Sequence, residues 1–118
     1  QRYVSEKNFD YVIPPSVPKG QIEEFRKDMD VIRLMYKKWK DRGLRNEDAR
    51  FVLPNACTTE IVVSANLREF RHIFKVRCSP HAQWEIRDVC LLMLKELHRH
   101  APHVFADILE RVKMQDAL

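Results

Sequence analysis

The stretch 49-ARFVLPNACTTEIVVSANLREFRHIFKVRCSPHAQWEIR-87 sets a β-branched run among five arginines (Arg50, Arg68, Arg71, Arg77, Arg87), Asn66, His72, His81, Gln83 and Glu85. Within it Thr58 to Ala65 places Ile61, Val62 and Val63 in succession, which predicts a strand covered on both faces and innermost in the fold. Leu67 to Arg77 then predicts a helix. Leu67, Phe70, Ile73 and Phe74 face inward on it, and Arg68, Arg71, His72 and Lys75 share a basic face at spacings of three and four. Ser79-Pro80 reads as the cap and first position of a further helix running to about His100, with Ala82, Ile86, Val89, Met93 and Leu97 on one side. Pro102 opens a last helix carrying Phe105, Ile108, Leu109 and Val112.

Outward toward the N-terminus, Glu47 to Arg50 reads as a short helical turn that Pro54 ends. From Gln21 to Arg42, Ile22, Phe25, Met29, Ile32, Tyr36 and Trp39 recur every three or four residues, one apolar stripe of a long helix that Gly43 stops. The stripe covers under three heptads, which favours packing on its own domain and leaves an oligomer interface open. Tyr11, Val12 and Ile13 read as a short strand cut off by Pro14, Pro15, Pro18 and Gly20.

The fold class expected is α+β: helix-rich, with one strongly buried strand and a shorter early one, in a single domain over 1–118. A chain of 118 residues with 45% hydrophobic and 32% charged residues suits such a domain, or a piece of one. It has no apolar run of about 18 residues and no leader-like start, so neither membrane insertion nor secretion is supported. Cys57, Cys78 and Cys90 form no CxxC or ligand-like spacing, which points to packing roles in a reducing cytoplasm. The net charge of +4 favours anionic partners without choosing among them.

Asn66 and Arg68 meet where the strand passes into a helix, and Arg77 and His81 flank the next junction. Backbone N–H groups and fixed polar side chains at such junctions suit a flat, polar ligand, although a turn asparagine and a solvated arginine are the ordinary outcome. Arg50, inside apolar ARFVLP, needs an acceptor: a phosphate or carboxylate ligand, or Glu47, Glu60 or Glu85. His98, His100 and His103 do not make a metal site, because the first two project to different sides of a helix and no ligand completes the set. No GxSxG, no phosphate-cradling glycine loop and no paired carboxylates occur, so an enzyme of this kind would rely on a bound cofactor.

ARFVLP, TTE, SANLREFRHIFKVR and HAQWEIR, in this order and with these gaps, closely resemble the C-terminal half of the flavin-dependent thymidylate synthases. Gln1-Arg2-Tyr3 resembles the close of that family's signature, whose Arg-His-Arg portion and preceding serine are absent. The resemblance implies reductive methylation of dUMP to dTMP with methylenetetrahydrofolate, FAD and NADPH, without a cysteine nucleophile. It implies a homotetramer with active sites shared between subunits, dUMP and folate as partners, and no membrane or specific nucleic acid. By the same resemblance Arg77 is the catalytic residue, favouring the ionised pyrimidine, and Gln1, Arg2, Arg50 and Arg77 hold dUMP. Asn66, Leu67, Arg68, His72 and His81 match positions at FAD, with His72 often asparagine in relatives. Because the resemblance leaves the family's N-terminal half outside these residues, the chain alone is expected neither to hold FAD tightly nor to turn over. The alternative is a non-catalytic relative or oligomerisation fragment that keeps the fold, with the Gln21 to Arg42 helix as an interface. A nucleic-acid module using Arg68, Arg71 and Lys75 is disfavoured, since Phe70 and Phe74 fall on the presumed core face and no exposed aromatics interleave.

Overall fold

The computed structural model describes residues 9–116, so Gln1 and Arg2 lie outside the described residues. The chain divides into two compact units, Gln1–Val62 and Val63–Leu118. Helices make up 68% of the described residues.

The first unit is built on α1, Ile22–Asp41. Its stripe is the one the periodicity predicts: Met29 and Tyr36 are buried, with Ile22, Phe25, Ile32 and Trp39 half-buried around them. Glu23 and Glu24 in the first turn and Lys38 and Lys40 in the last complement the helix dipole. Gly43 ends the helix at φ +93°, a left-handed conformation that a Cβ disfavours. There its N–H reaches Lys40 O at 3.0 Å while Leu44 N–H reaches Trp39 O at 3.2 Å, the paired bonds of a Schellman stop. The chain continues through a short helix, α2 (Asn46–Ala49), and a 3₁₀ turn, Arg50–Val52, before Pro54.

Ahead of α1, the early strand shrinks to one antiparallel bridge between Tyr11 and Cys57, flanked by Val12 N–H to Ala56 O at 2.8 Å and Thr58 N–H to Asp10 O at 2.9 Å. Pro14 and Pro15 carry no donor to extend the ladder. Arg33 holds this segment against α1: its guanidinium donates to Phe9 O at 3.2 and 2.7 Å and lies 5.4 and 5.0 Å from the ring centroids of Phe9 and Tyr11.

The second unit is a bundle of α3 (Leu67–Arg77), α4 (Trp84–His100) and α5 (Pro102–Asp116). Phe74, Cys78, Cys90, Leu94, Phe105, Ile108 and Val112 form its core. The Phe74 ring stacks on Phe70 at 6.0 Å and meets Phe105 edge-on at 5.6 Å, both within the range of favourable aromatic pairs. Only Ala101 separates α4 from α5, and Pro102 pre-sets the first turn of α5.

Several expectations are corrected here. The buried strand at Thr58 to Ala65 does not form: the segment is extended, and Ile61, Val62 and Val63 are 78, 97 and 54% exposed. A strand is stabilised by ladder partners and a covering layer, and no backbone partner for 59–65 occurs among the described residues. The α+β class thus lacks its strand, and the described residues are helical with a single β-bridge. Ser79-Pro80 opens a tight turn instead of a helix, with Ser79 Oγ accepting from His81 N–H at 3.2 Å and Ser79 O from Ala82 N–H at 3.0 Å. The helix begins at Trp84, capped by Gln83, whose Oε1 accepts from Glu85 and Ile86 N–H at 2.9 and 3.2 Å. On α4 Cys90 and Leu94 are fully buried and Leu91, Met93 and Leu97 pack half-buried against the same core, so the expected Met93 and Leu97 do face inward, whereas Ile86 and Val89 are exposed, as is Leu67 at the start of α3.

Candidate functional site

Asn66 precedes α3 in extended backbone, and its Oδ1 accepts from Glu69 N–H at 2.8 Å while its carbonyl accepts from Phe70 N–H at 3.1 Å. The two preceding amides, of Leu67 and Arg68, have no acceptor among the described residues. With Oδ1 committed to the cap, the amide NH₂ of exposed Asn66 has no acceptor among the described residues. The start of α3 therefore offers an arc of donors at the positive end of a helix dipole.

Arg68, His72 and Lys75 continue that arc along one exposed face at spacings of four and three. Arg71, read from the sequence as part of the same face, is removed from it. Its guanidinium forms two parallel bonds to Asp107 Oδ1 and Oδ2, each 2.8 Å, and a third to Val104 O, joining α3 to α5. The hydrogen bond from Arg71 holds the Asp107 carboxyl well below the usual carboxylate range. Arg71 is thus a structural clamp. No single-helix pattern reveals it, because the partner lies 36 residues away.

Arg77 is the last residue of α3 and is exposed, with no side-chain hydrogen bond among the described residues. Helix rise of about 1.5 Å per residue puts it about 16 Å from Asn66. The structure brings Asn66, Leu67 and Arg68 together at the start of α3, sets His72 at the middle of the helix one turn beyond Arg68, and leaves Arg77 with His81, in the exposed turn that follows, at the other end. A ligand engaging both ends has to be long. The charge of Arg77 also reaches Cys90 on α4, opposing the upward push that burial gives its thiol. Burial, reinforced by Cys90, pushes the Cys78 thiol up to about 11. Cys78 and Cys90 are buried core residues whose raised pKa values make poor nucleophiles.

Arg87 spans the bundle, donating to Cys78 O at 3.2 Å and pairing with Asp116. Gln83, like Arg87 a member of the HAQWEIR block, has its side-chain oxygen committed to capping α4. Sequence patterns missed that role because glutamine is not among the favoured caps.

In the first unit Arg50 sits half-buried on the 3₁₀ turn after α2. Neither Glu47 nor Glu60 pairs with it: Glu47 instead meets Arg45 at 3.9 Å. Its guanidinium has no acceptor among the described residues. Beside it Trp39, Leu44, Asp48, Ala49, Phe51 and Val52 line a mostly apolar cleft of about 280 Å³. No helix among the described residues is long and apolar enough to cross a membrane.

A model of the family described as "Thymidylate synthase complementing protein" matches residues 1–103. Among curated proteins, the chain is 40% identical over 116 residues to the flavin-dependent thymidylate synthase of Nitratidesulfovibrio vulgaris, covering 90% of this chain and 47% of that protein. It is 44% identical over 103 residues to that of Pyrococcus furiosus, covering 82% and 42%. The match to the Geobacter sulfurreducens protein of the same name is 41% over 111 residues, 91% of this chain and 48% of that one. The chain spans about half the length of the curated relatives it matches.

Proposed function

The chain belongs to the thymidylate synthase complementing protein family, and on that premise we propose that it is the C-terminal portion of a flavin-dependent thymidylate synthase, 1–118 serving as one part of that enzyme's domain. The reaction is reductive methylation of dUMP to dTMP with methylenetetrahydrofolate and NADPH. The observation that carries this reading is the start of α3, where the Leu67 and Arg68 amides, the NH₂ of Asn66 and the exposed Arg68 and His72 present donors and positive charge on one surface. This donor set fits the diphosphate of FAD, an anion that helix N-termini and guanidinium groups bind well.

When bound, FAD supplies the electrons that convert the transferred methylene to a methyl group. The chain's own residues bind and polarise. Asn66, Leu67, Arg68, His72 and His81 would hold the flavin cofactor. Arg50, without an acceptor among the described residues, and Arg77 take dUMP, together with Gln1 and Arg2. Arg77 stabilises the negative charge that develops on the pyrimidine as its carbon becomes nucleophilic. Cys78 and Cys90, buried and with raised thiol pKa values, fit a reaction that needs no cysteine nucleophile.

The exposed, unpaired Ile61–Val63 segment supports a further reading, that the rest of the enzyme covers it and completes the site. These residues alone then neither retain FAD nor turn over, and the complete enzyme works in the cytoplasm as a homotetramer with shared sites. The test is a chimera joining the N-terminal half of the N. vulgaris relative to these residues, placed in a bacterium deleted for thymidylate synthase. Growth without thymidine, with flavin co-purifying, is the expected result. A folded chimera that binds no flavin and gives no growth refutes the reading.

A further inference from the structure

Arg87 ties the three helices of the second unit together at one point. Its backbone lies in the first turn of α4, where its N–H reaches Gln83 O at 3.0 Å. Its side chain turns back over the connecting loop: Nε donates to Cys78 O at 3.2 Å, and a terminal nitrogen pairs with Asp116 at the end of α5. Cys78 is fully buried and stands directly after Arg77, as the cap of α3. Carbonyls at a helix end lack intrahelical donors, and a buried one left unpaired is costly, so Cys78 O fixes where the guanidinium settles. Arginine suits the place because Nε–H and the terminal N–H groups leave one rigid plane in different directions. Asp116 holds the far end of that plane and Cys78 O the near end. The Arg87 side chain is 21% exposed, shielded enough from water for both bonds to keep one geometry.

Arg77 is the contrary case: exposed, with no side-chain hydrogen bond among the described residues. Where its guanidinium can reach therefore depends on where its backbone is held. We propose that Arg87 is a positioning residue for Arg77: the link from Asp116 through Arg87 to Cys78 O holds the last turn of α3, and so sets where the Arg77 guanidinium meets the pyrimidine of dUMP. Arg71 clamps α3 to α5 through Asp107 nearer the middle of the helix, and Arg87 does the corresponding work at the end where Arg77 stands. The loop that Arg87 closes also carries His81. The inference rests on the proposed role of Arg77 and gives Arg87 no contact with substrate or flavin. Misplacing a group at the reacting centre by about 1 Å can cost about a hundredfold in rate, so a loosened helix end is expected to show in turnover.

The experiment measures dTMP formation and bound flavin in the chimera, with Arg87→Lys made in the unaltered and in the Arg77→Ala background. Lysine keeps the charge and can pair with Asp116, but it has no N–H in the place of Nε. In the unaltered background kcat should fall about 10- to 100-fold, with flavin content per folded molecule unchanged. In the Arg77→Ala background the same substitution should change kcat by less than about twofold, because a residue that acts through Arg77 has nothing further to lose once that guanidinium is gone. A loss caused only by a smaller folded fraction or a generally looser bundle would appear equally in both backgrounds. Asp116→Asn keeps the bond to Cys78 O while weakening its anchor. It should show a smaller loss with the same dependence on Arg77, and it carries the test if Arg87→Lys does not fold. Arg87→Lys turning over at the unaltered rate, or losing the same factor in both backgrounds, overturns the proposal. An active chimera in which Arg77→Ala has no effect, or a folded one with no activity at all, overturns the reading of Arg77 and the proposal with it.

Discussion

Replacing Asn66 separates the structural work of the α3 start from its proposed work on a ligand. In Asn66→Ala the Glu69 amide loses its 2.8 Å acceptor, and three amides at the start of α3 are left to solvent in place of two. Loss of an asparagine cap costs about 1 kcal/mol, within a range of roughly 0.5–2. A unit of this size has a stability of only a few kcal/mol, so the urea midpoint followed by far-UV circular dichroism falls measurably, with the m-value unchanged. Asn66→Asp restores the acceptor and adds a negative charge at the positive end of the dipole, worth about 0.3–1 kcal/mol. Its midpoint should match or exceed that of wild type. Flavin retention by the chimera should order differently: the aspartate variant, which repels a diphosphate and lacks the amide donors, should retain least even though it is the more stable of the two. The reasoning is refuted if Asn66→Ala leaves the midpoint unmoved, or if Asn66→Asp retains flavin as wild type does.

Phe74→Ala removes a buried ring that contacts both Phe70 and Phe105; a loss of about 3–5 kcal/mol should unfold most of the second unit, seen as collapse of slow amide exchange across α3 to α5. Asp107, held at a depressed pKa by Arg71, contributes stability that is present above the usual carboxylate range and is lost as pH falls through its folded pKa; Asp107→Asn should flatten that acid limb of the stability curve. Cys78 and Cys90 should react slowly with an aromatic disulfide reagent in the folded chain while half-buried Cys57 reacts first. The raised Cys78 pKa stabilises the fold fully below the ordinary thiol range, and this contribution declines as pH rises toward about 11; Cys78→Ser should remove that alkaline decline.

Local signals made the helices legible and non-local ones did not. The bounds of α3 follow from its three-four repeat, with the Asn66 cap added by the structure, and those of α1 from its stripe and Gly43. On α4 nearly every position from Ile86 to Leu94 outside Arg87 and Asp88 is apolar, so periodicity alone picks no face. Contact with α3 and α5 selects Cys90 and Leu94. Ser79-Pro80 has the composition of a helix start, but its oxygens are spent on the turn through Ala82 and the cap falls to Gln83. Ile61–Val63 has a strand's composition but no partner among the described residues, and pairing cannot be read from one segment. At the site, the exposed Arg68, His72 and Arg77 lie on the elements the sequence assigns them, while Arg71 was misread because its acceptor is far away in the chain.

The most direct measurement of the central claim is dTMP formation from dUMP by the purified chimera, with NADPH and methylenetetrahydrofolate supplied, compared with its Arg77→Ala variant. Removing a group that stabilises developing charge should lower turnover by about 10²–10³ while flavin stays bound. An active chimera in which Arg77→Ala turns over at the unaltered rate, or a folded, flavin-loaded chimera that makes no dTMP, would contradict the account.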